Sequence, residues 1–197
     1  QELGMVMSVY ALMQLIFSPI WGEISDRFGR RPIMLIGLVG NGLSMLFMGL
    51  ANSMAVLLAA RALAGMLASA TLPTAYAYVG DSTTEENRGS GMGLIGAGLG
   101  VGMVLGPGFS GLLAEKSLSL PFFAGAALSL FAIAVVYFFL PESLPKTGRK
   151  TDTHINIKGQ FSQMYQGLIG PLGLLLVLAF LISFGLTNFE GIFGLYM

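Results

Sequence analysis

Six runs of apolar residues, each near the length of a membrane span, constrain the fold of this chain more than any other feature. An α-helix of about 20 residues crosses the roughly 30 Å of hydrocarbon in a bilayer. The runs are continuous and lack the alternation of a membrane strand, so they predict helices. They cover residues 4–25, 33–51, 54–79, 89–114, 121–140 and 168–194. The sequence therefore predicts an all-α integral membrane protein with six transmembrane helices.

The composition argues against other classes of protein. Only 10% of the residues are charged, whereas a soluble domain carries about 25%. The net charge of zero argues against a nucleic-acid partner. With no cysteine and a single histidine, His154, we expect no disulfide, no metal site and no cofactor. The partner that this surface suits is the lipid bilayer.

The positions of Lys and Arg predict the orientation. Connections after the first, third and fifth spans hold Arg27, Arg30, Arg31, Arg88, Lys146, Arg149, Lys150 and Lys158. The opposite side has only Lys116, and Arg61 lies inside a span. Since basic loops remain cytoplasmic, we expect residues 26–32, 80–88 and 141–167 to be cytoplasmic in a multi-pass protein of the inner (cytoplasmic) membrane.

One polar, basic segment interrupts the series of spans. We predict a bundle over residues 1–140, a linker over 141–167, and the first helix of a second bundle over 168–197. The chain has no initiator Met and stops just after an apolar run, so we expect an internal piece of a longer membrane protein.

The connection between the first two spans is unusually rich in charge. Residues 22–32, GEISDRFGRRP, hold five charged residues and two glycines. A loop that only joins two helices would need neither. We therefore predict a functional turn at this position.

Two charged residues lie within predicted spans. Arg61 lies roughly 10 Å into the third span. An arginine at membrane depth costs about 2.5–3.5 kcal/mol on insertion scales, so it faces a cavity or partner, or else snorkels to the outer interface. Glu190, late in the sixth span, either exchanges protons in a desolvated site or lies exposed at the outer interface.

Polar and small residues mark two further spans. Gln14 lies in the middle of the first span, where an amide usually bonds to another helix, although a role facing substrate stays open. In the fourth span, Gly98, Gly102 and Gly106 form a groove for a neighbouring backbone, and Pro107 predicts a kink. Ordinary tight packing would explain most of these glycines.

These motifs resemble those of the major facilitator superfamily. The charged turn is similar to its loop 2–3 motif, G-x-L-a-D-r-x-G-r-k, with Ile24 in place of Leu; the matching residues are Gly22, Asp26, Arg27, Gly29, Arg30 and Arg31. Arg61 with Gly65 resembles the fourth-helix motif R-x-x-q-G, with Ala64 replacing Gln. The fourth span resembles the fifth-helix antiporter motif, departing at Ser110; the matching residues are Gly93, Gly102, Gly106, Pro107 and Gly111.

The antiporter motif is typical of the twelve-helix drug:proton antiporters, which include tetracycline and quinolone or multidrug exporters. The chain would then cover helices two to seven. Tetracycline exporters carry an aspartate in the third helix where this chain has Ser44, which puts tetracycline in doubt. Gln14, Arg61 and Glu190 instead look like positions of the quinolone/multidrug branch.

The resemblance implies a monomeric, proton-coupled exporter of small hydrophobic or cationic drugs. Two six-helix bundles would rock about a midplane site in alternating access. Asp26 would cap a helix of the other bundle, while Arg27 and Arg30 join a cytoplasmic charge network. Arg61 would lie near the proton path, and Glu190 would exchange proton for drug.

Two alternatives stay open at this point. A metabolite or sugar exporter of the same fold fits the antiporter motif equally well. A membrane-embedded enzyme would need a nucleophile with a base, or metal ligands, at membrane depth. The single histidine and the lack of cysteine oppose an enzyme.

Overall fold

The computed structural model describes the backbone of residues 2–145, 159, 162 and 173–196, and the side chains of these residues except 3 and 188–196. Every regular element in these residues is helical. The helices are α1 (Glu2–Phe28), α2 (Arg30–Gly49), α3 (Met54–Leu67), a 3₁₀ segment (Ala68–Ala70), α4 (Thr71–Ser82), α5 (Glu85–Ala114), α6 (Leu120–Phe139) and α7 (Gly173–Tyr196).

Five helical stretches are long and apolar enough to cross a membrane: Gly4–Phe28, Arg30–Gly49, Met54–Ser82, Glu85–Ala114 and Leu120–Phe139. The sixth predicted span falls on α7, which contains the shorter apolar stretch Gly173–Thr187. Residues 168–172 of that prediction lie outside the described residues. The predicted all-α membrane fold is confirmed for the part of the chain that the structure describes.

The chain divides into two compact units, Gln1–Thr153 and His154–Met197. The division falls inside the predicted linker at 141–167, whose own limits stay a prediction. In the first unit α2 is the central helix, because it packs against α6, α3, α4 and α1. The helix at its edge is α5, which packs against α6 and α4 and buries none of its residues.

Small and polar residues fix α2 against its neighbours. A Cβ at Gly40 would overlap the side chain of Leu67 on α3, and a Cβ at Gly49 would lie 2.9 Å from the Phe123 ring on α6. The Asn41 amide donates to Ser129 Oγ at 2.9 Å, which ties α2 to α6 within the apolar spans. Hydrogen bonds of this kind between membrane helices contribute about 0.6–2 kcal/mol.

The third span is not the single helix that its apolar run predicts. It consists of α3 and α4 joined by the 3₁₀ segment Ala68–Ala70. Pro73 is the third residue of α4. Proline has no N–H, so it is tolerated in the first turn of a helix and disrupts a helix interior. The proline therefore accounts for a new helix beginning here.

Candidate functional site: a charge cluster at the cytoplasmic ends of the helices

The predicted turn at residues 22–32 is almost entirely helical. α1 continues to Phe28 and α2 begins at Arg30, so Gly29 alone separates them. Gly29 has φ 107° and is the one described residue with positive φ. Its N–H donates to the carbonyl of Ser25 at 3.1 Å. Glycine adopts this left-handed conformation at no steric cost, so it permits a reversal within one residue.

Arg30 is the centre of the site. Its Nη1 donates to Asp26 Oδ1 at 2.5 Å and to Ser25 Oγ at 2.6 Å, and its Nε donates to Asp81 Oδ2 at 2.8 Å. The side chain is 10% exposed. The guanidinium therefore joins the end of α1, the start of α2 and the end of α4, in the fork geometry that suits arginine better than lysine.

A second ion pair extends the cluster along α1. Glu23 and Arg27 form a salt bridge one helical turn apart, with side chains 8% and 12% exposed. Ion pairs this well buried differ from surface pairs, because removing one partner leaves a charge with little access to water. The cluster thus combines acidic and basic residues in a compact, largely desolvated arrangement.

Glu142 caps the amino end of α2. Its Oε1 accepts from the backbone N–H of Arg30 at 2.8 Å and from that of Leu144 at 3.2 Å. Gly29, at the N-cap position, has no side chain with which to cap the helix. A carboxylate here accepts a hydrogen bond from a first-turn backbone N–H that has no partner within the helix, and it lies at the positive end of the helix dipole. The segment that follows α6 is thereby fastened to the cluster.

Arg31 contacts the carboxyl end of α6. Its Nη2 donates to the Tyr137 carbonyl, and its guanidinium carbon lies 5.3 Å from the centroid of the Tyr137 ring. A cation near the last carbonyls of a helix is favourable. The two consecutive arginines therefore have different partners.

Asp81 and Glu142 are the two members of the cluster that sequence reasoning missed. The available signals were their positions in the polar segments after the third and fifth spans, on the side where Arg30 lies. Arg30 pairs with Asp26, and Arg27 pairs with Glu23; the role of these residues in a cytoplasmic charge network stays a prediction. The predicted contact of Asp26 with a helix of the other bundle stays a prediction.

Arg61 lies in the middle of α3, and its depth in the membrane stays a prediction. It is half-buried, and its Nε is fully buried with no hydrogen-bond partner among the described residues. One turn later, a Cβ at Gly65 would lie 2.5 Å from the Tyr10 carbonyl oxygen and 2.7 Å from Met13 Cβ. Gly65 therefore lets α1 pack closely on α3. Gln14 is half-buried in α1 beside this contact, since its backbone nitrogen lies 3.3 Å from the same position.

Glu190 belongs to α7, but its side chain lies outside the described residues. The role predicted for Glu190 beside Arg61 and Gln14 therefore stays a prediction. Ser44 is fully buried, and its Oγ donates to the Asn41 carbonyl at 2.9 Å. This hydrogen bond lies within α2.

The residues of the predicted antiporter motif all lie on α5: Gly93, Gly102, Gly106, Pro107 and Gly111. All are exposed, and a Cβ at any of the four glycines would meet no described atom within 4 Å. The close packing predicted for this groove is thus not made by the described residues. The helix also continues through Pro107 without interruption. The role of these residues stays a prediction.

A bundle of apolar helices long enough to cross a membrane, with a charge cluster at one end, defines a multi-span membrane protein. The chain belongs to the Major Facilitator Superfamily, whose family model matches residues 1–197. The family consists of multi-pass membrane transporters rather than enzymes.

Relatives and a solved structure support the assignment. The chain is 35% identical to tetracycline resistance protein, class B, of Escherichia coli over 90% of this chain and 44% of that protein. It is 32% identical to multidrug resistance protein 2 of Bacillus subtilis over 98% of this chain and 49% of that protein. The crystal structure of the human organic anion transporter MFSD10 superposes with a TM-score of 0.69 at 28% identity, covering 87% of this chain and 38% of that one.

The chain is also 30% identical to quinolone resistance protein NorA of Staphylococcus aureus, over 99% of this chain and 49% of that protein. The chain spans about half the length of the curated relatives it matches.

Proposed function

We propose that this chain forms the substrate-facing and gating part of a proton-coupled antiporter that exports small hydrophobic or cationic drugs by alternating access. The relatives are tetracycline, multidrug and quinolone resistance proteins. The observation that carries the proposal is the charge cluster around Arg30, which joins α1, α2 and α4 and holds the segment after α6. A cluster of this kind closes the cytoplasmic side when its ion pairs form and opens it when they separate.

Arg61 supports the proton-coupled part of the proposal. A buried guanidinium nitrogen without a described partner favours a neighbouring anion, such as an ionised carboxylate. We propose Glu190 as the carboxylate that exchanges a proton for the drug. Gln14, beside the contact of α1 with Gly65, would contribute a hydrogen bond to the substrate.

A metabolite exporter is the second candidate. The similarity to a human organic anion transporter favours it, because an anionic substrate would itself pair with Arg61. In that case a set of carboxylate substrates is exported and cationic dyes are not.

The test is drug efflux by the full-length gene product in a bacterial host that lacks its own pumps. We expect increased tolerance to ethidium and fluoroquinolones, and its loss when a protonophore collapses the proton gradient. Glu190→Gln abolishes export, because the amide cannot exchange a proton. Glu115→Gln, which changes an exposed carboxylate just after α5, is the matched control and keeps wild-type export. Unchanged export in Glu190→Gln would refute the role given to that residue.

A further inference from the structure

A cavity of about 490 Å³ lies at the end of the first unit that is opposite to the charge cluster. It is formed where α1, α3 and α6 begin and where α2 ends. A cavity that holds a small molecule has a volume of about 300–1,000 Å³. The orientation predicted from the positions of Lys and Arg assigns this end to the outer leaflet of the membrane.

The polar residues that line the cavity lie immediately outside the membrane-spanning stretches. Glu2 precedes the first stretch, Asn52 and Ser53 connect the second to the third, and Ser119 precedes the fifth. Their side chains supply one carboxylate, one amide and two hydroxyl groups. Polar groups at the ends of membrane spans lie at the depth of the lipid headgroups. This part of the cavity therefore suits a polar headgroup.

Most of the apolar residues that line the cavity lie inside the same stretches. Met48 is near the end of α2, Met54 and Leu57 are in the first turn of α3, and Phe122 is in the first turn of α6. These positions are at the outer edge of the hydrocarbon. The cavity thus changes from polar to apolar in the same order as a phospholipid does, so an occupant that matches it is amphipathic.

Glu2 gives the cavity its charge. It is the one charged side chain among the described residues that line the cavity, and it forms no ion pair with a described Lys or Arg. A carboxylate in this position favours a cation by charge complementarity. The Asn52 amide and the two serine hydroxyls can donate hydrogen bonds to an anion. An ethanolamine headgroup carries both an ammonium and a phosphate, whereas a glycerol headgroup has no cation.

We propose that this cavity binds a phosphatidylethanolamine of the outer leaflet. The primary ammonium pairs with Glu2, the phosphate accepts hydrogen bonds from Asn52 and the serine hydroxyls, and an acyl chain packs along Leu57 and Phe122. The ammonium has three N–H groups to donate, whereas the quaternary nitrogen of choline has none. Lipid binding at this end does not depend on the proposed export function.

Fluorescence quenching by brominated lipids measures which lipid occupies the cavity. Phe122→Trp introduces a tryptophan in the cavity lining, and Phe47→Trp introduces one on the exposed face of α2 near the same end, outside the lining. The 197 residues contain one tryptophan, Trp21. The sample is the full-length gene product in nanodiscs of phosphatidylglycerol, with Trp21 and any tryptophan elsewhere replaced by phenylalanine. A minor fraction of brominated phosphatidylethanolamine, phosphatidylcholine or phosphatidylglycerol is added.

We expect brominated phosphatidylethanolamine to quench Phe122→Trp more strongly than the other two lipids do, and all three to quench Phe47→Trp equally. In the Phe122→Trp background, Glu2→Gln lowers the apparent affinity for phosphatidylethanolamine about 2- to 5-fold, as expected for an ion pair near the membrane surface. Glu115→Gln changes an exposed carboxylate at the same end and outside the lining. It is the matched control and leaves the affinity unchanged.

An equal preference for phosphatidylethanolamine in Phe122→Trp and Phe47→Trp overturns the proposal, and so does a Glu2→Gln effect no larger than that of Glu115→Gln. Equal quenching by phosphatidylethanolamine and phosphatidylcholine overturns the assignment of a primary ammonium. If no lipid is preferred and the fluorescence responds instead to dodecylamine, the cavity binds free amphipathic amines and the lipid assignment is wrong. If Phe122→Trp does not fold, Leu57→Trp, in the same lining, takes its place.

Discussion

Replacing Arg30 by alanine removes the residue that joins three helices. Its side chain makes hydrogen bonds to Asp26, Asp81 and Ser25. Without it, the two carboxylates lose their shared cation and repel each other. Arg30→Ala should therefore destabilise both the fold of the first unit and the closed cytoplasmic side.

The loss of stability expected for Arg30→Ala depends on how exposed Asp26 and Asp81 are. Removing one member of a fully buried ion pair costs about 3–5 kcal/mol, and a hydrogen bond to a charged group contributes about 1.5–3 kcal/mol. The side chains of Asp26 and Asp81 are 27% and 28% exposed, so water recovers part of the loss. We expect the free energy of unfolding to fall by about 3 kcal/mol. Arg30→Lys keeps the charge but lacks the planar, forked set of N–H donors of a guanidinium. Its free energy of unfolding should fall by about half as much as that of Arg30→Ala.

The assay is equilibrium unfolding in mixed micelles, followed by circular dichroism. Arg88→Ala is the matched control, because Arg88 is an exposed arginine on the same side whose described hydrogen bond, to the Gly80 carbonyl, is 3.4 Å long. It should change stability by less than about 0.5 kcal/mol. A double-mutant cycle of Arg30→Ala with Asp81→Ala should give a coupling energy of about 1–3 kcal/mol. The reasoning fails if Arg30→Ala costs no more than Arg88→Ala, or if the coupling is zero.

Two further substitutions test the packing around the site. Glu142→Ala should lower the free energy of unfolding by about 1 kcal/mol, because it removes the cap of α2. Glu142→Gln should lower it less, because the amide oxygen still accepts the hydrogen bond. Equal losses for the two variants in unfolding titrations would contradict the capping role. Gly65→Ala should cost about 1–3 kcal/mol through overpacking against Tyr10 and Met13. Gly4→Ala, in open space on α1, is its control, and similar melting temperatures for the two variants would show that α1 does not press on Gly65.

The helices were predictable because the bilayer fixes both their length and their composition. Backbone groups in hydrocarbon must bond within the segment, so a continuous apolar run leaves helix as the one solution for a single span. The 3₁₀ segment at Ala68–Ala70 was missed because the apolar run 54–79 continues through it. Pro73 was the local signal, since it cannot donate a helical hydrogen bond.

The site was predictable only where its residues are close in the chain. Asp26 and Arg30 are four residues apart, near the end of α1 and at the start of α2, and the motif around them is dense in charge. Asp81 and Glu142 join them through tertiary packing, which composition and spacing do not encode. Residues 22–32 were expected to form a turn, but helix extends from both sides until the positive φ of Gly29 ends it.

The cap on α2 also has a consequence for the order of assembly. The carboxylate that completes the helix belongs to Glu142, which lies 112 residues after Arg30. During synthesis the ribosome adds Asp26 and Arg30 within a few residues of each other, Asp81 at the end of the third span, and Glu142 only after the fifth. The amino end of α2 therefore enters the bilayer with its cap still to be made. The charge cluster is completed only after the last of the five spans, so a chain truncated before Glu142 would insert without the cap on α2.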